Sequence, residues 1–194
     1  MASMRSRPGA RPVVNPVAGE SVPEVRAIFL VGFMGAGKTS VGRVLSGRLG
    51  WPFEDLYDRI VAREGKPIAE IFRDSGEAEF RRAESAALRE LLGELGLSPR
   101  VVALGGGAFV QAENSALIEK AQVHSVFLDA PAEELFRRCE REQRERPLRQ
   151  NEKQFRELYE QRRASYMKAK LRIETNGKDV DMVAAEVACS LVDR

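Results

Sequence analysis

The chain has 194 residues, 43% of them hydrophobic, with 31 Lys and Arg against 29 Asp and Glu. That length supports one sizeable core rather than two comfortable domains, and the near balance of charge gives no bulk electrostatic reason to bind nucleic acid. Two cysteines far apart, Cys139 and Cys189, exclude a disulfide framework or a Cys-rich zinc site and fit a reducing cytosol, while the single His124 cannot assemble a metal cluster and reads as structural.

Residues 1–25 carry Pro, Gly, Ser and Arg without helical or strand period, and they lack the apolar block of a secretory signal. A disordered tail is expected there, with an organelle transit peptide as the alternative because acidic residues are few. No apolar run reaches the roughly 18 residues of a membrane span, so the expected location is cytoplasmic, away from membranes. From residue 26 to 194 a single domain is expected. "AIFLVGF" is a continuous apolar run ending in glycine, the pattern of a buried parallel strand. "KTSVGRVLSGRLG" follows with Val41, Val44, Leu45 and Leu49 at helical spacing and Gly50 as its cap. A second strand is expected around Trp51 to Leu56, then helices over "DRIVAREG", "IAEIFRDSG" and from Glu77 to about Leu95. "RVVALGGG" reads as a third strand entering a glycine turn, and "HSVFLDA" as a fourth, after which Asp129 and Pro131 open the helix "AEELFRRCERE". The polar "QRERPLRQNEK" has no apolar period. Beyond it come a helix over "QFRELYEQRRASYMKA", a fifth strand "LRIET", and a closing amphipathic helix with Asp179 near its start. Strands alternating with helices predict a three-layer α/β/α fold around a five-stranded parallel sheet.

The strongest motif is Gly32 to Thr39, "GFMGAGKT", which fits G-x-x-x-x-G-K-[ST] between an apolar strand and a helix. Its glycines let backbone N–H groups turn inward around a polyphosphate, and the helix N-terminus adds partial positive charge. Gly35, Ala36, Gly37, Lys38, Thr39 and Ser40 form the expected ATP-binding turn. Lys38 reaches the terminal phosphates, and the Thr39 hydroxyl ligates Mg²⁺. A guanine-reading Asn-Lys-x-Asp segment is missing, and motor ATPases usually need more chain, so the spacing favours a compact small-molecule kinase with a mobile lid. The run from Arg137 to Arg149 interleaves with Glu140, Glu142 and Glu145, and reads either as part of such a lid or as a solvated helix face.

In order along the chain stand "FEDLY", "GKPIAEIF", "GEAEFRRAE", "LGGGAF", "RERPLR" and "RRASY". This series resembles the shikimate kinase family, from about Ile28 to the last helix. The resemblance implies a P-loop kinase that phosphorylates the 3-hydroxyl of shikimate with ATP and Mg²⁺ in aromatic amino-acid biosynthesis, a monomer with small-molecule partners only. It implies that Arg81 grips the substrate carboxylate, with Glu84 orienting the guanidinium. Arg162 becomes a second carboxylate contact, and its neighbour Arg163 the exposed one. Gly105, Gly106 and Gly107 let backbone approach the ring. Arg146, in a lid near residues 141–155, meets the phosphates on closure, with Arg144 close enough to confuse the assignment. Arg138 lies along the adenine.

The family pattern after the phosphate loop is F-x-D-x-D. Aligned on Phe53, its first acid is Asp55, expected to support the metal, but its second position is Tyr57, expected to contact the acceptor. Asp58 is one position late, a step that reverses the side in a strand or turns about 100° in a helix, and is expected to stand aside. A phenol with a pKa near 10 is a poor proton acceptor at neutral pH, although a loose phosphoryl-transfer transition state makes limited demand for a base. Three readings stay open: a slow or altered shikimate kinase, a kinase for another small hydroxy acid or sugar, and a nucleotide-binding protein without turnover.

Overall fold

The computed structural model describes residues 27–96, 98–141 and 151–191. The expected tail and the central part of the expected lid, with Arg144 and Arg146, lie outside the described residues. Five strands form one parallel sheet in the order β2-β3-β1-β4-β5: β1 (Ala27–Val31), β2 (Phe53–Asp55), β3 (Arg100–Ala103), β4 (His124–Asp129) and β5 (Leu171–Glu174). Every residue of β1 and of β4 is buried, so helices cover both faces of the sheet centre. His124 is one of these buried residues.

The helices are α1 (Lys38–Leu49), α2 (Leu56–Glu64), α3 (Ile68–Gly93), α4 (Ala112–Lys120), α5 (Ala132–Arg141), α6 (Glu152–Tyr166) and α7 (Val180–Cys189). Helix α1 packs on α7, α2 on α3, and α5 on α6. Gly50 closes α1 in the left-handed region with its N–H on the Ser46 carbonyl, and Asp179 caps α7 by accepting from the Met182 N–H at 2.8 Å. The run α3 is interrupted at Gly76, where φ 77° and ψ 176° leave helical geometry. This is the boundary expected between "IAEIFRDSG" and the longer helix from Glu77. Helix α4 was not expected. Its buried face consists of Ile118 and the polar Asn114, so no apolar stripe advertises it.

Asp129, at the end of β4, fastens two later elements to the sheet. Its carboxylate is nearly inaccessible and accepts from Tyr159 Oη at 2.7 Å, Arg163 Nη2 at 3.1 Å and Arg172 Nε at 2.8 Å. Arg163 is therefore not the freely exposed residue expected; it is half-buried and ties α6 to β4. Burial, with the Asp129 charge beside it, pushes the Tyr159 phenol well above its ordinary range, so it remains a donor. Asp129→Asn is expected to lower unfolding stability by about 1–3 kcal/mol, the range for charge-assisted hydrogen bonds, because an amide oxygen cannot satisfy three donors. Urea denaturation of the variant against wild type measures it; an unchanged midpoint contradicts the clamp.

Candidate active site

The C-terminal ends of β1, β2 and β3 meet at one edge, where open parallel sheets place their ligands. β1 runs into the phosphate loop, whose Gly32, Gly35 and Gly37 have φ of 144°, 77° and 84°. A Cβ on Gly35 would stand 2.4 Å from the Leu135 carbonyl oxygen, so α5 packs directly on the loop and only glycine fits. Ala36 is buried in the turn, and Ser40 follows in the first turn of α1. Lys38 Nζ donates to the carbonyls of Gly32 and Phe33, both at 2.9 Å, which arches the ammonium back over the loop.

Thr39 Oγ1 donates to Asp55 Oδ2 at 2.8 Å. Asp55 also caps α2, its Oδ1 accepting from the Tyr57 N–H at 3.0 Å. One carboxylate thus joins the phosphate loop to the start of α2. The pair presents hydroxyl and carboxylate oxygens side by side, the hard donors that Mg²⁺ prefers.

Opposite lies a guanidinium site. Arg81 donates to Glu84 Oε2 at 2.8 Å and to Glu77 Oε1 at 2.9 Å, and its guanidinium carbon stands 5.1 Å from the Phe80 ring centre. Glu84 is fully buried, and Gln111 Nε2 donates to it at 2.9 Å. Its Oε1 has no hydrogen-bond partner among the described residues. Burial pushes the Glu84 carboxyl above its ordinary range, and the Arg81 charge offsets this only in part. Arg162 adds its positive field to Glu84 and to Tyr166, and stands 5.9 Å from the Phe33 ring centre. Tyr166 in turn donates to the Gly106 carbonyl.

The three glycines after β3 clear space for these side chains. A Cβ on Gly107 would fall 2.2 Å from the Arg81 guanidinium, and one on Gly105 would fall 2.5 Å from Glu84 Oε1 and 2.9 Å from the Tyr57 ring. Gly106 faces the phosphate loop at Gly32 and Met34.

The two halves share one cavity of about 530 Å³, within the range of small-molecule sites. Gly35, Gly37, Lys38, Thr39, Ser40 and Asp55 line one side; Tyr57, Arg81, Gly106, Gly107 and Arg162 line the other. Ile68, Phe72 and Phe80 supply an apolar wall. Asp58, expected to stand aside, also lines the cavity. Strand alternation does not apply to it, because β2 ends at Asp55 and Asp58 sits in the first turn of α2. Arg138 does not line this cavity; it is held by Glu134 and by the hydroxyl and carbonyl of Thr175, at 2.8, 3.1 and 3.0 Å. Gln111 carried no sequence signal, since its partner Glu84 lies 27 residues away.

A family model described as "Shikimate kinase" matches residues 34–192. A shikimate kinase of Geobacter metallireducens is 43% identical over 173 residues, covering 88% of this chain and 94% of that protein. One from Persephonella marina is 39% identical over 163 residues, covering 84% and 97%. Among solved structures, shikimate kinase from Acinetobacter baumannii in complex with shikimate superposes with a TM-score of 0.80 at 35% identity, covering 88% of this chain and 94% of that one. A gluconokinase from Sinorhizobium meliloti, at 15% identity and a TM-score of 0.57, shares the fold.

The raised carboxyl of Glu84 fixes a sign for pH dependence. The folded state holds its proton more tightly than the unfolded chain, so its stabilising contribution is complete below the ordinary value of 4.5 and is lost as pH rises through the folded value. The stability of wild type minus that of Glu84→Gln should therefore fall as pH is raised from about 4.5 towards neutrality. Urea midpoints across this range measure it, and a flat or rising difference contradicts the burial argument.

Proposed function

The chain belongs to the shikimate kinase family, and we propose from the site that it transfers the γ-phosphoryl group of ATP to the 3-hydroxyl of shikimate, in aromatic amino-acid biosynthesis. One observation carries this reading: a phosphate loop with its lysine and a guanidinium pair suited to a carboxylate line the same cavity. Such transfer depends on positioning and charge stabilisation more than on covalent chemistry, and the cavity supplies both.

Lys38 and the amides of Gly35 to Ser40 hold the phosphates. Thr39 and Asp55 would hold Mg²⁺ through their hard hydroxyl and carboxylate oxygens. When bound, the ion neutralises charge on the polyphosphate. Arg81 and Arg162 receive the substrate carboxylate, with Arg81 oriented beforehand by Glu77 and Glu84. Gly106 and Gly107 admit the ring against Phe72 and Phe80, while Gly105 leaves room for Glu84 and Tyr57. Arg138, tied to the loop after β5, lies along the adenine. Arg146 meets the transferring group from a lid near residues 141–155. The form we propose is a cytoplasmic monomer; no helix among the described residues is long and apolar enough to cross a membrane.

A coupled assay of ADP release tests the function. Turnover should require shikimate, proceed on the order of 1–100 per second, stop when EDTA removes divalent ions and return with Mg²⁺. ADP release that is indifferent to shikimate, or equally supported by gluconate, contradicts the assignment.

A further inference from the structure

The position aligned with the second acid of F-x-D-x-D is Tyr57, yet a carboxylate lines the cavity one residue later. We propose that Asp58 receives the hydrogen bond of the acceptor hydroxyl and takes its proton during transfer, while Tyr57 forms part of the cavity wall. This rests on the kinase reading above and names a residue that the alignment sets aside.

Local geometry is the first support. Asp55 ends β2 and caps α2, Leu56 is fully buried beneath the helix, and Tyr57 and Asp58 follow in the first turn. As the cap and the third residue of the helix, Asp55 and Asp58 stand side by side, and Tyr57 and Asp58 both line the cavity. Asp58 therefore rises on the side of Asp55, the residue that meets Thr39.

Chemical availability is the second. Among the described residues, the carboxylates lining the cavity are Asp55 and Asp58. Both oxygens of Asp55 are engaged, one by Thr39 and one by the Tyr57 N–H. Asp58 has no hydrogen bond or ion pair among the described residues, although Lys38, Arg43, Arg81 and Arg162 line the same cavity. Of the two, Asp58 is the one with neither oxygen engaged among the described residues. The Tyr57 ring, in contrast, lies over Gly105 with its centre 6.1 Å from that of Phe80. A neutral phenol can donate or accept a hydrogen bond but is a poor proton sink.

The step balances without another reagent. The 3-hydroxyl oxygen forms the new bond to the γ-phosphorus as the bond from that phosphorus to the β,γ-bridging oxygen breaks. ADP leaves with the bond's electron pair. The hydroxyl proton passes to the Asp58 carboxylate and from there to solvent.

A rival role is electrostatic: an acid in the first turn stabilises its helix whether or not it meets substrate. That role predicts a shifted melting temperature with unchanged kinetics. The experiment compares full-length wild type, Asp58→Asn and the double variant Tyr57→Asp/Asp58→Asn by steady-state kinetics with shikimate and ATP, alongside thermal melting. Asp58→Asn should lower kcat by about 10–100-fold, with KM for ATP within about twofold. The double variant, which restores a carboxylate one position earlier, should recover at least about tenfold of that loss. A single variant within about threefold of wild type overturns the proposal, and so does a double variant no faster than the single one. Because recovery is measured between two altered proteins, it remains informative if Asp58→Asn melts early. Wild type that turns over no shikimate overturns the functional reading and this inference together; wild type that does, matched by Asp58→Asn, overturns the inference alone.

Discussion

The hydrogen bond from Thr39 to Asp55 joins the two halves of this protein's cavity. On one side is the phosphate loop, whose shape is forced by glycines packed under α5. On the other is α2, which begins where Asp55 caps it and carries Tyr57 and Asp58 into the cavity. The same carboxylate serves as helix cap and as partner of the metal-site hydroxyl. A displacement of Asp55 would therefore move both the phosphate end and the acceptor end, and their separation is set by the pairing of β2 with β3 and of β3 with β1. Positioning of this kind is the main resource available to an enzyme of phosphoryl transfer.

The acceptor half relies on a more costly device. Glu84 is buried without exposure and one of its oxygens lacks a hydrogen bond among the described residues, which is unfavourable in itself. Its return is orientation: Glu84 and Glu77 hold the Arg81 fork, Gln111 steadies Glu84, and Gly107 leaves the guanidinium its room. An arginine fixed beforehand loses less freedom when it meets a carboxylate.

Much of this was legible in the sequence where the signal was local. The phosphate loop announced itself because motif, preceding strand and following helix lie within about one βα unit. The strands of the sheet centre showed as unbroken apolar runs because both their faces are covered. The break at Gly76 and the cap at Gly50 followed from glycine's access to positive φ. Helix α4 stayed hidden because Asn114 occupies half of its buried face. The tie of Arg163 was hidden because its partner Asp129 is 34 residues away in the chain, and the place of Asp58 in the cavity lining does not follow from its register with the family pattern. The loss of the aligned acid at position 57 is therefore not the loss of a carboxylate from the cavity.

A crystal structure with ADP, Mg²⁺ and shikimate bound tests this account most directly. The shikimate carboxylate should lie on Arg81 and Arg162, with the 3-hydroxyl within hydrogen-bond distance of Asp58 on the side facing Lys38. Shikimate bound with its carboxylate away from both arginines, or its 3-hydroxyl out of reach of Asp58, would contradict it.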